Sequence, residues 1–229
     1  MSSGPEASAA EGESDAATAV DGAPTVAAVR AVGAAARGIR NPIVLIDGPS
    51  GAGKSTLADA VLASWPGRTP LLVRLDHAYA GWHGLERAGP GLARTLVSRI
   101  ERGEVGAWRR WDWSADRPGG IEHVRPGRAL LIEGCGAFAT RPDRGTAVRV
   151  WVDANDAARK SRALLRDGGA FDPYWEVWER QWRRYVHRTS PAERADVRLR
   201  ITGLDRIAPE PGARAAPVHA AQPRDNVGT

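Results

Sequence analysis

Two hydrophobic periods alternate along the chain. Ile43–Ile46, Leu71–Leu75, Ala129–Ile132 and Ala147–Val152 are short, nearly unbroken apolar runs, the pattern of strands buried on both faces of a parallel sheet. Between them the apolar positions recur at helical spacing. The segment from Lys54 to Ser64 is predicted as a helix that stops before Pro66-Gly67. Leu92, Leu96, Val97 and Ile100 form one face of a second helix ending near Gly103. A third runs from about Asp156 to Arg166, and a fourth begins at Asp172-Pro173, with Trp175, Trp178, Trp182 and Tyr185 along one side. Val197, Leu199 and Ile201 alternate as in a last strand. Strand and helix in turn predict an α/β fold with a parallel sheet covered on both faces.

The ends of the chain read differently. Residues 1–24 hold Ala, Ser, Gly, Glu and Asp with almost no large apolar side chain, too little to offset the entropy of ordering, and are expected to be disordered. A short helix is expected over 25–39, a single domain over 40–206, and a flexible Pro/Ala/Gly/Arg-rich tail over 207–229. With 229 residues and 42% hydrophobic content, the chain has enough material for one sizeable core. The formal net charge is +5, but the arginines are scattered rather than clustered, which disfavours a nucleic-acid surface. Cys135 is the one cysteine, so neither an intrachain disulfide nor a cysteine-rich zinc site can form. No apolar stretch reaches the roughly 18 residues of a membrane span, and the acidic start does not resemble a signal peptide. The expected compartment is cytoplasmic.

The first strand runs into Gly48-Pro49-Ser50-Gly51-Ala52-Gly53-Lys54-Ser55-Thr56, which fits G-x-x-x-x-G-K-[ST] at every position. Glycines let successive backbone N–H groups point into one concavity, and the helix that follows adds its positive end. Lys54 is one of only two lysines in a chain that otherwise uses arginine. A compact ammonium on a flexible stem can follow phosphate oxygens where the planar guanidinium cannot. The loop therefore predicts a nucleoside triphosphate held by the backbone of Gly48, Ser50, Gly51, Ala52, Gly53, Lys54, Ser55 and Thr56, with the Ser55 hydroxyl on Mg²⁺.

Carboxylates stand where the strands end. Asp76 closes the second strand, beside the crevice in which α/β sheets bind ligands, and can accept a proton from an attacking hydroxyl. Glu133 closes the third and suits a carboxylate that organises Mg²⁺ through water. The stretch WRRWDWSADRP, residues 108–118, interleaves aromatics with charge and suits either a planar polar acceptor or a packed loop. Arg159, Arg162 and Arg166 recur on one face of the third helix, ahead of Gly168-Gly169. Such a face can close over a transferring phosphoryl group. The stripe of Trp175, Trp178 and Trp182 reads as core, and Cys135 as a packed residue.

In order, GPSGAGKST, LDHAY, WDW, LLIEGCGAF and RALLRD resemble the segments of uridine kinase-like P-loop kinases over residues 40–204. The resemblance implies a three-layer P-loop NTPase fold with a short arginine-bearing lid. It implies ATP and Mg²⁺ as cofactors and phosphoryl transfer to a hydroxyl of a small, nucleoside-like molecule. It makes Asp76 the catalytic base, Glu133 and Ser55 the magnesium side, and Arg162 and Arg166 the lid arginines. Tyr79, Trp82, Trp111, Asp112 and Arg117 fall on the acceptor side. The phenylalanine of the family's D-x-F-Y segment is Ala78 here, and its post-aromatic histidine is Asp116. Those departures motivate a second reading, a nucleotide-binding regulatory protein that kept the loop and lost turnover.

Overall fold

The computed structural model describes residues 26–201 and 207–209. Segment 1–24 and the tail beyond 209 lie outside them. Six strands form one sheet: β1 (Ile43–Asp47), β2 (Leu71–Arg74), β5 (Leu130–Glu133), β6 (Ala147–Asp153), β7 (Val197–Ile201) and β8 (Ile207–Pro209), in the order β2-β5-β1-β6-β7-β8. The first five are parallel, and β8 returns antiparallel to β7. The sheet thus extends past residue 206, where the sequence reading begins a tail.

The two-residue period of the strands divides the core. Ile43, Leu45, Leu130 and Ile132 face one side, with α3 (Leu85–Leu92) and α6 (Trp175–Thr189). Val44, Ile46, Leu131, Val148 and Val150 face the other, with α1 (Val26–Ala35) and α2 (Lys54–Ala63). The result is three layers, helix on sheet on helix, as the apolar runs predict. The tryptophan stripe lies on the first face, where Trp175, Trp178 and Trp182 are all buried.

Two elements depart from the sequence reading. The helix bearing Leu92 starts at Leu85, ahead of Gly89-Pro90-Gly91, and continues through a π-helical segment, Ala93–Val97, into α4 (Ser98–Glu101). Pro90 removes one ladder donor, and the wide turn follows directly after it. The charged aromatic stretch is not a loop but an antiparallel hairpin of β3 (Gly106–Asp112) and β4 (Arg117–Val124), with an irregular register between Arg109 and Trp111. Along β4 only Val124 is buried, so its side chains carry no apolar alternation that would announce a strand. The remaining helix, α5 (Asp156–Arg166), is N-capped by Asn155, whose side chain accepts from the N–H groups of Ala157 and Ala158 at 3.0 and 3.2 Å.

Candidate active site

The chain leaves the carboxyl end of central β1 and turns at once into the glycine-rich loop. On one side of β1 lie β5 and β2, and on the other β6 and β7. The loop therefore opens at the switch point, where the crevice of such sheets lies. Its glycines are sterically required. Gly51 and Gly53 sit at φ 75° and 83°, a left-handed region that penalises side chains. A Cβ on Gly48 would lie 2.1 Å from the Val152 carbonyl oxygen, and one on Gly51 only 1.9 Å from that of Arg159. Helix α2 starts at Lys54 with Gly53 as its N-cap and no side chain capping it. Its first N–H groups are thus left for a ligand.

Lys54 is 7% exposed. Its Nζ donates to the Pro49 carbonyl at 2.8 Å and approaches the Cys135 Sγ at 3.5 Å. Among the described residues no carboxylate lies within ion-pair distance of it. A buried ammonium without a direct ion pair is costly, and an anion in the loop would reduce that cost. Arg162 makes the same point from the other side. Its Nε donates to the Gly51 carbonyl at 2.9 Å, while its Nη2 is buried without a hydrogen-bond partner. These two cations, with the glycine cradle, fit a triphosphate.

Ser55 and Glu133 meet as the sequence reading expects: the Ser55 hydroxyl donates to Glu133 Oε1 at 3.1 Å. The register that sets Glu133 beside Ile46 on one strand and Arg74 on the other explains the meeting. Arg74 was not anticipated. It donates to Glu133 at 2.9 Å and to Asp59 at 2.6 Å, tying β2 and α2 to the carboxylate. Burial pushes the Glu133 carboxyl above its usual range, Asp76 adding to the effect, while Lys54 and Arg74 pull it back. A divalent cation at Ser55 and Glu133 would act in that same downward direction.

Asp47 is the second residue that sequence reading passed over. It is fully buried, and its Oδ1 accepts from the N–H groups of Gly48 and Gly136 at 2.7 and 2.8 Å. Its Oδ2 accepts from the Phe138 N–H at 2.9 Å and the Tyr185 hydroxyl at 2.6 Å. Burial raises its pKa, and those four donors oppose the rise. One carboxylate thus fixes the glycine-rich loop, the turn after β5 and helix α6 to one another. A strand-ending aspartate belongs to no motif, which is why the pattern did not reveal it.

Beside the loop lies a cavity of about 360 Å³. Its walls are Tyr79, Trp82, Trp113, Phe171 and Trp178, and Asp76 reaches it from the turn Leu75–His77. Asp76 is exposed, and its charge is felt at Glu133, Tyr79, Cys135 and Arg166. Arg166 lines the same cavity, held by Asp167 through Nε and Nη2 at 2.7 and 3.0 Å. A larger concavity of about 1190 Å³ lies at the opposite end of the strands, between α1 and α2. Among the described residues no carboxylate lines it.

The acceptor-side residues do not all reach this cavity. Tyr79 and Trp82 do line the cavity. Tyr79 is almost fully buried, though, and its hydroxyl donates to the Cys135 carbonyl at 2.9 Å, so only its ring is available. Trp82 stacks on Phe171 and Tyr174. From the hairpin it is Trp113 that reaches the cavity, its Nε1 donating to the Asp76 carbonyl at 2.7 Å. Trp111, Asp112 and Arg117 are not among the lining residues. Asp112 instead accepts from Ser114 and Ala115 and organises the hairpin turn, and Arg117 stands opposite it in register. Arg159 is no lid residue either: it is buried in a two-pronged ion pair with Glu179 at 2.7 and 3.1 Å. Cys135 is buried as expected, yet its Sγ also touches Lys54 and lies 3.5 Å from the Ser50 hydroxyl.

No group of three or more potential metal-binding side chains occurs among the described residues, and no helix among them is long and apolar enough to cross a membrane. No family model and no curated protein matches the chain. Among solved structures 51 chains match. One is the structure of a possible uridine kinase from Bacillus stearothermophilus, with a TM-score of 0.50 and 19% identity over 75% of this chain and 96% of that one. At that identity the likeness establishes the architecture alone: the chain has a P-loop kinase-like α/β fold.

Proposed function

We propose that the protein is an ATP- and Mg²⁺-dependent kinase that phosphorylates a hydroxyl of a small molecule. The observation that carries this reading is the convergence of two cations, the buried Lys54 and the half-buried Arg162 with its enclosed, unpartnered Nη2, on a glycine cradle whose open side adjoins a cavity bearing the exposed carboxylate of Asp76. A possible kinase among the structural neighbours supports the same reaction class.

When bound, Mg-ATP supplies the γ-phosphoryl group, which passes to the acceptor oxygen as the β–γ bridging P–O bond breaks. The loop N–H groups from Gly51 to Ser55 hold the phosphates, and Lys54 exchanges its contact with Pro49 for phosphate oxygen. Ser55 and Glu133 are the residues that would hold Mg²⁺, which would neutralise phosphate charge there. Asp76 accepts the hydroxyl proton. Arg162 stabilises the charge of the group in transit through the N–H groups it does not use on Gly51, and Arg166 reaches the same region from the end of α5.

ADP release from the full chain with Mg-ATP, measured across a panel of hydroxylated compounds, tests the reading. An acceptor should stimulate release in the wild type. Asp76→Asn should cut that stimulation by at least a hundredfold, with ATP affinity nearly unchanged, since general-base assistance contributes about 10²–10⁴-fold. Full activity in Asp76→Asn would remove Asp76 as the base. Normal turnover in Lys54→Ala would remove the loop assignment.

A further inference from the structure

The acceptor cavity has a lopsided polar inventory. Its walls are the rings of Tyr79, Trp82, Trp113, Phe171 and Trp178. Their three N–H groups and one O–H look like donors for a neutral heterocycle, but most are already used or enclosed. The Tyr79 hydroxyl donates to the Cys135 carbonyl, and the Trp113 Nε1 donates to the Asp76 carbonyl. The Trp178 Nε1 has no partner, yet it is sealed from solvent and so from the cavity. Arg166 and Asp167 neutralise each other in a forked pair. What remains is the Asp76 carboxylate, which has no hydrogen-bond or ion-pair partner among the described residues, the Ser50 hydroxyl at the loop end, and the single Trp82 Nε1–H.

An environment of π faces with one unpaired carboxylate suits a positive charge. The negative faces of aromatic rings attract a cation, indole most strongly, and three of the five rings are indoles. A pyrimidine or other neutral amide-bearing ring requires several donors for its carbonyl oxygens, and with one indole N–H and one hydroxyl at hand its burial here would leave polar groups unpaired. We infer that the phosphoryl acceptor is a hydroxylated organic cation, a small molecule carrying both an ammonium group and an alcohol, rather than the nucleoside implied by the resemblance. The ammonium lies against the indole of Trp113, since the faces of Trp82 are taken by Phe171 and Tyr174. The hydroxyl faces Asp76, which serves as counter-charge in the ground state and as proton acceptor in the transfer. This inference rests on the kinase reading for the identity of the cavity, but its test does not depend on turnover.

Matched probes isolate the charge. Calorimetric titration of the full chain, held with Mg²⁺ and a non-hydrolysable ATP analogue, would compare choline with its neutral isostere 3,3-dimethylbutan-1-ol, glucosamine with N-acetylglucosamine, and both pairs with uridine. At least one cation should bind about tenfold or more tightly than its neutral partner, the range that cation–π contacts in a desolvated site support. Trp113→Leu, at a ring 37% exposed and therefore mild for folding, should remove most of that difference, and Trp113→Phe should retain part of it. Equal binding within both pairs, tighter binding of uridine than of either cation, or no binding by any probe would overturn the inference. ADP release measured on the same probes separates the two readings. Cation preference without release would sink the kinase and leave the cavity assignment standing, whereas release stimulated by uridine alone would do the reverse.

Discussion

Gly51 and Gly67 form a natural pair for testing how the phosphate loop is held. Their φ angles are 75° and 77°. A Cβ at Gly67 meets nothing within 4 Å, while one at Gly51 falls 1.9 Å from the Arg159 carbonyl oxygen. Substitution by alanine at either position incurs the left-handed penalty of about 1–2 kcal/mol. That is partly offset by about 0.4–1 kcal/mol from the stiffer unfolded chain. These contributions cancel between the two variants, so the difference reports the collision alone. Relief to the 3.0 Å minimum for a real Cβ contact requires a shift of about 1 Å. Helix α5 resists it, because the side chain of Arg159 is itself locked to Glu179. Forced overpacking of this kind costs about 1–3 kcal/mol. Gly51→Ala should therefore unfold at clearly lower urea than Gly67→Ala, with the gap in unfolding free energy, followed by tryptophan fluorescence, at about 1–3 kcal/mol. Coincident curves for the two variants would refute the claim that α5 and the loop are pressed together at this point.

Two further outcomes follow from buried and partly buried polar groups. Tyr185→Phe leaves Asp47 with three donors instead of four and should lower stability by about 1.5–3 kcal/mol, the contribution of a hydrogen bond to a charged group; a change below 0.5 kcal/mol in urea unfolding would show that the hydroxyl is not bound to a carboxylate. The His77 imidazole is held below its usual range first by burial and then by Arg110, with Arg74 acting the same way and Asp76 and Glu122 opposing. Below about pH 6.5 the unfolded chain then binds more protons than the native one, so this group removes stability as pH falls through that value. His77→Gln should flatten the loss of stability between about pH 7 and 5 relative to wild type, and parallel profiles would exclude the effect.

The parts of this fold legible in the sequence are those in which burial is complete. Ile43–Ile46 and Leu130–Ile132 are covered on both sides, so their apolar runs are unbroken and unambiguous. The glycine-rich loop was legible because each residue type answers a separate geometric demand, whereas helical spacing alone did not separate Arg162, which meets the loop, from Arg159, which turns to Glu179. The hairpin was hidden because almost every side chain of β4 is wet. The start of α3 was hidden because Gly89-Pro90-Gly91 mimics a turn. Choosing Trp113 over Trp111 depended on a turn built by Asp112, a contact that no spacing rule contains. Asp47 and Arg74 act through partners far away in sequence, at 136, 138 and 185 and at 59 and 133. Such pairings become visible only when the sheet register is known.

The place of β1 in the middle of the sheet has a consequence for synthesis. Both its neighbours, β5 and β6, begin at Leu130 and Ala147, far downstream of Ile43. On a ribosome adding about 5–20 residues per second, the strand Ile43–Asp47 emerges roughly 4–17 seconds before either partner exists. During that interval this fully apolar-flanked strand, with the phosphate loop attached, has α2 and β2 behind it but no strand to pair with. Nascent chains stalled between positions 47 and 129 are thus the species most exposed to aggregation, and chaperone contact should concentrate there.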